Sequence, residues 1–298
     1  MPSTESIDPR FAEIDAWPTS VAVEAMCEGQ LAATAVVFGQ AGAIARAAIA
    51  AAQVLASTGR LVFAGAGTSG RIAVQDGVEL GPTFGWPEGR LRFLLAGGSD
   101  ALTAGIEGAE DDTDSARTEV KEHRIGRGDV MIGLAASGRT PYTLAAIEAA
   151  RSAGSLTIGF ANNRDSPLLD IAELGILLET GSEAVAGSTR MKAGTAQKIA
   201  LNLLTTAIML RLGRVYRGRM VDMIVSNNKL RERARTMVME LANVSADDAA
   251  QALDAARDDI KCAVLLASGA SLGEARRLLE GSGGRLRQAL ECLEVSAG

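Results

Sequence analysis

The sequence is poor in aromatic residues and has almost no histidine. Phenylalanine, tyrosine and tryptophan together make up 3% of its 298 residues, too few for a platform that stacks the bases of single-stranded nucleic acid. His123 is the only histidine, so a multi-histidine metal site is excluded and a histidine-based triad would depend on this one residue. A net charge of −6 also argues against a nucleic-acid or anionic-membrane partner.

Cysteine and long hydrophobic runs are scarce as well. Cys27, Cys262 and Cys292 stand apart without C-x-x-C spacing, a pattern typical of reduced thiols in a cytosolic protein. The N-terminal residues are polar and do not resemble a signal peptide. The most apolar run, residues 200–212, is shorter than the roughly 20 residues that cross a bilayer and predicts a buried helix. These features predict a cytoplasmic protein without a membrane partner.

Between residues 59 and 230, short apolar runs alternate with helical patterns. Strands are predicted at residues 60–64, 90–96, 129–135, 155–161 and 173–179. Helices are predicted at residues 71–80, 101–110, 114–123, 141–153 and 189–212. This alternation is typical of an α/β protein with a doubly wound, five-stranded parallel sheet that is flanked by helices.

The two ends of the chain have a different character. Residues 1–58 are predicted to form an N-terminal helical segment, which includes an alanine-rich helix at 41–56. Residues 231–298 carry no clear strand pattern and predict a small, all-helical C-terminal domain of short amphipathic helices. The sequence thus predicts three parts: the N-terminal segment, a sheet domain over residues 59–230, and the C-terminal domain.

The stretch VFAGAGTSGR, residues 62–71, contains a G-x-G-x-x-G spacing at the end of the first predicted strand. This spacing occurs in dinucleotide-binding turns, which also need an acidic residue at the end of the next strand. Here that strand ends in LAGG (95–98), and the nearest acid, Asp100, comes late. The match to a dinucleotide site is incomplete, and the alternative is a cradle for a monophosphate.

A monophosphate cradle needs hydrogen-bond donors, and this loop has them. Thr68 and Ser69 supply hydroxyl groups, and Gly67 lets backbone N–H groups face inward. The helix predicted to start near Arg71 offers its positive end. Residues 137–140 repeat this chemistry after the third strand, so two such loops at one sheet edge suit a sugar phosphate. The alternative is a pair of structural turns, in which the same residue types are common.

Acidic side chains near these loops are candidates for general acid–base catalysis. Glu79 is predicted to lie two turns along the first helix, and Glu107 and Glu110 are predicted to share a helical face. Because the chain has one isolated histidine, acid–base work near a sugar phosphate falls to glutamate. For each glutamate taken alone, a solvated surface charge is the alternative.

The start of the long predicted helix gathers positive charge in an otherwise acidic protein. Arg190, Lys192 and Lys198 lie there, and Ser188 and Thr189 are candidate caps. This stretch is either part of an anion site or a capped and well-solvated helix start.

Six short stretches occur in the order in which one known family carries them. They are GAGTSGR (65–71), PTFG (82–85), EGAEDD (107–112), ASGRTPY (136–142), GSTRMKAGTAQK (187–198) and SNNKL (226–230). Together they resemble the N-acetylmuramic acid 6-phosphate etherase family, which is built on a sugar isomerase (SIS) domain and is related to the glucokinase regulatory protein. The resemblance is specific from about residue 55 to 235 and weaker at both ends, where the family's C-terminal helical domain is UBA-like.

The resemblance implies a carbon–oxygen lyase of peptidoglycan recycling. Members of this family cleave the D-lactyl ether of N-acetylmuramic acid 6-phosphate by elimination and then hydration, without a metal or redox cofactor. The products are N-acetylglucosamine 6-phosphate and D-lactate. By the family pattern, Glu79 protonates the departing lactate oxygen and later activates water, and Glu110 removes the proton at C2. The family also implies a homodimer.

The family pattern assigns substrate-binding residues too. Those in the two loops are Gly67, Thr68, Ser69, Ser137, Gly138, Arg139 and Thr140. In the related regulatory protein, the Asn-x-Lys of the last stretch also reaches the sugar phosphate. That maps to Asn227 and Lys229, which a dimer partner could supply. The expected ligand is an amino-sugar phosphate.

Some positions depart from the family pattern. Where members read DASECPPT, this chain reads DGVELGPT (76–83), and the family's GPE is GSE (181–183) here. The usual N-terminal signature is kept only in part, as Thr4-Glu5 and Ile14-Asp15. Two alternatives stay open: a sugar-phosphate-binding regulator, which the single SIS unit disfavours, and a related SIS enzyme acting on another amino-sugar phosphate.

Overall fold

The computed structural model describes residues 3–297 of the chain. The strands are β1 (Leu61–Gly65), β2 (Leu91–Leu95), β3 (Val130–Ala135), β4 (Leu156–Ala161) and β5 (Leu174–Leu177). The helices are α1 (Thr19–Gly39), α2 (Ala41–Leu55), α3 (Gly67–Val78), α4 (Leu80–Phe84), α5 (Thr113–Glu122), α6 (Pro141–Ser152), α7 (Pro167–Ile171), α8 (Lys192–Arg211), α9 (Asn228–Ala242), α10 (Ala246–Ala256), α11 (Ile260–Ala267), α12 (Leu272–Gly281) and α13 (Leu286–Ala297). Short 3₁₀ helices lie at Ser3–Glu5, Pro9–Phe11, Ile14–Ala16, Glu88–Arg90, Gly98–Leu102 and Ala109–Asp111.

The five strands are all parallel and pair in the order β2-β1-β3-β4-β5. β1, β3 and β4 are buried along their whole length, which explains why their sequences are unbroken apolar runs. The chain winds from β1 out to β2 and then crosses to β3 on the other side, so the sheet is doubly wound. The predicted α/β fold with a five-stranded parallel sheet is confirmed.

By its internal contacts the chain divides into two compact units. The first comprises residues up to Gly77 together with Gly89–Ile208 and contains the sheet. The second comprises Val78–Glu88 together with the residues from Met209 onward. The short segment that carries Glu79 therefore groups with the C-terminal helices.

Helices cover both faces of the sheet in the first unit. One face packs against α5, α6 and α7 through side chains such as Val62, Met131 and Ile147. On the other face the rings of Phe63 and Phe93 stack with centroids 5.7 Å apart. With both faces buried, only the strand ends and the connections remain for binding a ligand.

The second unit is built from helices with polar caps. α9 to α13 surround an apolar core that includes Met237, Leu253, Val264 and Leu265. The side chains of Asn227, Ser245, Asp259 and Ser271 each accept a hydrogen bond from a backbone N–H in the first turn of α9, α10, α11 and α12 respectively. Within the described residues, the helical character predicted for the C-terminal region is confirmed.

The first helix of the sheet domain starts earlier than predicted. α3 begins at Gly67 rather than near Arg71, and it ends at Val78. Gly67, Thr68 and Ser69 thus form its first turn, and Glu79 lies beyond its end instead of two turns inside it. Glycine, threonine and serine are weak helix formers, so local propensity placed the start too late, and packing against β1 overrides it.

Two further helices differ from the prediction. Residues 101–110 do not form the predicted helix but two 3₁₀ turns, so Glu107 and Glu110 do not share a helical face. α8 begins at Lys192 instead of residue 189, and the cap is Glu183 rather than Ser188 or Thr189. The Glu183 carboxylate accepts from the N–H groups of Lys192 and Ala193, both at 2.9 Å. A cap from so far upstream leaves no local sequence signal.

An ion pair ties the starts of β1 and β3 together. Arg60 Nη2 lies 2.6 Å from Asp129 Oδ2, and Arg60 Nε donates to Oδ1 at 3.0 Å. Burial alone would raise the pKa of Asp129, but hydrogen bonds from Arg60 and from Gly126 N–H outweigh it, so the pKa lies below the ordinary 3.8. The pair therefore stabilises the folded sheet as long as the carboxyl is ionised.

We expect Asp129→Asn to lower the free energy of unfolding at pH 6 by about 2 kcal/mol, because Arg60 loses its charged partner. A carboxyl whose pKa is lower in the folded than in the unfolded protein stabilises the fold at pH values above its unfolded pKa. This stabilisation is lost as the pH falls through its folded pKa. The difference in free energy of unfolding between wild type and Asp129→Asn should therefore become smaller below about pH 4. Urea unfolding across pH measures this. Asp114→Asn is the control, because the Asp114 side chain is 96% exposed. A difference between wild type and Asp129→Asn that does not change with pH would contradict the lowered pKa of Asp129.

Among the described residues, α1 is long and apolar enough to cross a membrane by length and composition alone. The prediction from apolar runs missed it, because Glu24 and Glu28 interrupt the apolar sequence. A central carboxylate costs about 2.5–3.5 kcal/mol in a transmembrane helix. Only 17% of its most apolar window is buried, and Leu31 and Phe38 are exposed. Such a helix also fits a contact surface for another protein.

Candidate active site

Three chain connections lie side by side at one edge of the sheet. β2, β1 and β3 are parallel neighbours, so their carboxyl ends meet at the same edge. The connection after β1 leads into α3, the one after β2 carries Glu110, and the one after β3 holds residues 137–140. Within the first unit, the structure thus brings together both predicted phosphate loops, and it places Glu110 in the connection that follows the neighbouring strand β2.

The first turn of α3 presents hydrogen-bond donors at the end of β1. Because the helix begins at Gly67, the N–H groups of its first turn have no partner inside the helix. Thr68 is half-buried, and Ser69 is 8% exposed. A Cβ on Gly70 would lie 2.9 Å from the carbonyl oxygen of Gly65, so only glycine permits this approach. The turn therefore sits directly against the strand end.

The loop after β3 is tightly folded and rich in hydroxyl groups. Gly138 has a φ of +65°, and a Cβ there would lie 2.3 Å from Ser166 Oγ. Ser137 Oγ accepts from Arg139 N–H at 3.2 Å, which leaves its own O–H able to donate to a ligand. Thr140 occupies the N-cap position of α6, but its side chain makes no capping bond, so this hydroxyl is available as well.

The carbonyl groups of this loop accept hydrogen bonds from side chains that follow β4. Ala136 O accepts from Asn163 Nδ2 at 2.9 Å, and Ser137 O accepts from Ser166 Oγ at 3.1 Å. In a trans peptide the N–H points opposite to the C=O. Fixing these carbonyls at the end of β4 therefore sets the direction of the Ser137 and Gly138 N–H groups, of which Gly138 N–H donates to Ala135 O at 3.0 Å. No sequence pattern had indicated Asn163 or Ser166.

The N-terminal 3₁₀ turn completes this network. Thr4 is fully buried; its N–H donates to Asn163 Oδ1 at 3.3 Å, and its Oγ1 accepts from Asn163 Nδ2 at 3.1 Å. Thr4 O accepts from Gly187 N–H at 3.0 Å. The turn thus links the loop after β3 to the stretch that precedes α8. Thr4 stood out in the sequence only as part of the N-terminal signature.

Arg139 lies on the β4 side of its loop. Its side chain is exposed, and Nη2 donates to Asp165 O at 2.6 Å. It borders a cleft of about 500 Å³ whose other lining residues are Ser3, Ser6, Asn163, Arg164, Asp165 and Glu179. Arg164 and Glu179 form a two-bond ion pair there, at 3.1 and 2.5 Å. The guanidinium of Arg139 is therefore held beside the residues that follow β4.

Glu110 lies in the 3₁₀ turn Ala109–Asp111, just before the N-terminus of α5. Its side chain is exposed and makes no hydrogen bond to the described residues, so the carboxylate is free to meet a substrate. Glu107, also exposed, precedes it in a turn. Across residues 3–297, no group of three or more His, Cys, Asp or Glu side chains is placed to hold a metal ion.

The remaining predicted residues lie in the second unit. Glu79 occupies the N-cap position of α4, and its exposed carboxylate makes no hydrogen bond within the described part of the chain. The segment after it is held by Ile224 N–H, which donates to Pro82 O at 3.4 Å. Ile224 shortly precedes Asn227, whose side chain caps α9, and Lys229 lies in the first turn of that helix. The second unit thus brings the Glu79 segment close to the SNNKL stretch.

A buried carboxylate that sequence reasoning did not single out anchors α3 to α8. Asp76 is 2% exposed and accepts from Lys198 Nζ at 3.0 Å, Asn202 Nδ2 at 3.1 Å and Thr205 Oγ1 at 2.7 Å. Lys198, predicted as part of a cationic cluster, is therefore engaged in this contact.

The parallel sheet with hydroxyl-lined helix starts at the carboxyl ends of β1 and β3 defines a SIS-type sugar-phosphate domain. Residues 23–151 match the glucokinase regulatory protein N-terminal SIS domain, and residues 112–207 match the SIS domain. A solved structure of a phosphoheptose isomerase from Francisella tularensis aligns with a TM-score of 0.48 at 17% identity, over 65% of this chain and 98% of that chain. That likeness is too distant to bear on function.

Curated relatives match the chain over nearly its whole length. N-acetylmuramic acid 6-phosphate etherase of Deinococcus radiodurans is 45% identical over 99% of this chain and 98% of the relative. The etherase of Streptomyces coelicolor is 45% identical over 97% and 93%, and that of Salmonella schwarzengrund is 40% identical over 97% of each. The chain belongs to the N-acetylmuramic acid 6-phosphate etherase family, as its six motifs predicted.

Proposed function

We propose that this protein cleaves the D-lactyl ether of N-acetylmuramic acid 6-phosphate, giving N-acetylglucosamine 6-phosphate and D-lactate. The observation that carries the proposal is that the hydroxyl-rich helix starts after β1 and β3 lie side by side at one edge of the sheet, with Glu110 in the connection that follows the neighbouring strand β2. Family membership at 45% identity supports the same reaction. Cys27, Cys262 and Cys292 stand apart in the sequence without C-x-x-C spacing, which suits a cytoplasmic enzyme.

The phosphate is held by the two loops at the ends of β1 and β3. The first turn of α3 donates its N–H groups and the hydroxyls of Thr68 and Ser69. The second loop donates through the hydroxyl groups of Ser137 and Thr140. Asn227 and Lys229 complete the sugar-phosphate contacts in this proposal. A dianionic phosphate is favoured because two helix N-termini and several hydroxyls converge on it.

The two glutamates divide the acid–base work. In the open-chain sugar, the aldehyde at C1 acidifies the C2 proton, and the Glu110 carboxylate removes it. The C2–H electron pair first forms an enolate with the C1 carbonyl. This pair then forms the C2=C3 double bond as the C3–O bond breaks, and Glu79 gives its proton to the departing lactate oxygen. Water then adds: its oxygen joins C3 while Glu79 takes a proton back, and C2 regains a proton from Glu110. One carboxyl must start protonated and the other ionised.

Release of D-lactate is the direct test of the reaction. Purified protein is incubated with N-acetylmuramic acid 6-phosphate, and D-lactate is measured with a lactate dehydrogenase assay. Release that depends on both glutamates supports the proposal. Tight hexose-phosphate binding without lactate release would overturn it and would favour a sugar-phosphate-binding regulator, and release only from another amino-sugar phosphate would point to a related SIS enzyme.

The protein acts as a homodimer in this proposal, and the exposed apolar side of α1 is the surface that a second copy covers. Leu31 and Phe38, which are 72% and 84% exposed, lie seven positions apart and so share one face of the helix. Buried between two copies, such side chains each contribute about 1.5–3 kcal/mol.

We expect Phe38→Glu to shift the protein from dimer to monomer at micromolar concentration, because a charge would be buried in an apolar interface. Sedimentation velocity measures the change. Ile7→Glu is the matched control, since Ile7 is 73% exposed but lies outside α1. A variant that stays dimeric would place the interface elsewhere, and a wild-type monomer would contradict the dimer itself.

A further inference from the structure

The connection that carries Glu110 has little regular structure of its own. Between β2 and α5 it forms the 3₁₀ turns Gly98–Leu102 and Ala109–Asp111. Its backbone hydrogen bonds include local turns, such as Thr103 N–H and Ala104 N–H to Asp100 O. Bonds of this kind fix the shape of a turn but not its place above the sheet. The position of Glu110 therefore depends on contacts made by other elements.

Arg71 supplies such a contact from the first half of α3. Its Nε donates to Ala101 O at 2.8 Å, and its Nη2 donates to Ala104 O at 2.7 Å. A planar guanidinium can bond two carbonyls in fixed geometry, whereas a lysine ammonium is a single point donor. The sequence offered Arg71 as part of the phosphate motif, but the structure shows these two N–H groups turned to the backbone of the connection.

Two further contacts lie on either side of Glu110, later in the chain than the two carbonyls that Arg71 binds. The side chain of Ile106 packs over Gly97, where an added Cβ would lie 2.9 Å from Ile106 Cβ. Asp112 then caps α5 by accepting from Ser115 N–H at 2.8 Å. Ala109, the neighbour of Glu110, also packs against the core on this face of the sheet. The connection is thus held at Arg71, Ile106, Ala109 and Asp112, with Glu110 between the last two points.

We propose that Arg71 is a positioning residue that couples the phosphate-binding turn to the catalytic base. Thr68 and Ser69 hold the phosphate on the first turn of α3, and Arg71 follows them on the same rigid helix. The substrate and Glu110 are therefore placed from one common element. A displacement of about 1 Å at a reacting group can cost about 100-fold in rate. The role assigned to Glu110 rests on the proposed function, but the hold of Arg71 on the connection does not.

A direct phosphate contact by Arg71 is the competing role, and kinetics separates the two. Loss of a phosphate ligand raises KM, whereas loss of positioning lowers kcat. We expect Arg71→Ala to lower kcat for D-lactate release by about 10- to 100-fold with KM nearly unchanged. Arg71→Lys should fall in between, because one ammonium can reach one carbonyl. Millimolar guanidinium should restore part of the kcat of Arg71→Ala. Arg117→Ala, at an exposed arginine of α5, is the matched control.

Amide hydrogen exchange tests the hold of Arg71 without any substrate. Peptides covering residues 98–112 should exchange faster in Arg71→Ala and Arg71→Lys than in wild type, while peptides covering β3 stay protected. Unchanged exchange over 98–112, or a raised KM with kcat retained, would overturn the inference. A wild-type protein that releases no lactate would instead overturn the proposed function, and the exchange result would still decide whether Arg71 holds the connection.

Discussion

Replacement of Glu110 by glutamine is expected to abolish both D-lactate release and the exchange of the substrate's C2 proton with solvent deuterium. Glutamine keeps the shape of the side chain but cannot accept the proton, and a general base contributes about 10²- to 10⁴-fold in rate. The carboxylate is exposed and unbonded within residues 3–297, so its loss should leave stability unchanged. Mass spectrometry of recovered substrate in deuterated buffer measures the exchange.

Asp111→Asn is the matched control for this experiment. Asp111 is the exposed neighbour of Glu110 in the same 3₁₀ turn, so the variant removes the same charge at almost the same place. Its lactate release and its C2 exchange should stay near the wild-type rates. Continued C2 exchange in Glu110→Gln would show that another group removes the proton.

Replacement of Glu79 by glutamine should stop lactate release but leave C2 exchange. The base at Glu110 remains in this variant, so the proton still leaves and returns, while the ether oxygen lacks the acid that protonates it. We expect lactate release to fall by about 10²- to 10⁴-fold, the usual contribution of a general acid. The two glutamate variants together therefore separate proton removal from C–O cleavage.

Glu88→Gln serves as the control, because Glu88 is the other carboxylate of the segment Val78–Glu88. It should release lactate at the wild-type rate. Loss of C2 exchange in Glu79→Gln would contradict the division of roles, since it would mean that Glu79 also takes part in proton removal. Unchanged lactate release would exclude Glu79 as the acid.

The sheet could be predicted from the sequence because parallel strands buried on both faces leave an unmistakable pattern. Each of the five apolar runs overlaps a strand of the structure, and the alternation with helical patterns is typical of a doubly wound fold. Long-range polar contacts left no such pattern. Glu183 caps α8, and Asn163 supports the loop of Ser137, yet neither residue stands beside its partner in sequence.

The connection after β2 could not be predicted for a different reason. Gly105 and Gly108 weaken its helical pattern, and its position is decided by Arg71, which lies on another element. Local propensity therefore predicted a helix where tertiary contacts produce two short turns. The candidate base was identified from the family motif, but its setting was visible only in the structure.

The glycine spacing of VFAGAGTSGR reflects how closely α3 packs on β1 and does not identify the ligand. Gly65 and Gly70 allow α3 to approach β1 closely, since a Cβ on either would clash with the other's backbone at 2.9 Å. Dinucleotide-binding folds need the same close approach of strand and helix, so they carry the same spacing. What distinguishes this site is the pair of hydroxyl residues, Thr68 and Ser69, in the first turn.

The buried Thr4 has a practical consequence for anyone who prepares this protein. A tag fused directly before the turn Ser3–Glu5 would lie next to Thr4, whose bonds with Asn163 reach the loop of Ser137. A bulky or charged fusion that displaces this turn would loosen the loop of Ser137 and lower the activity measured for the fused protein. A cleavable tag, or one placed at the C-terminal end, is the better choice for kinetic work.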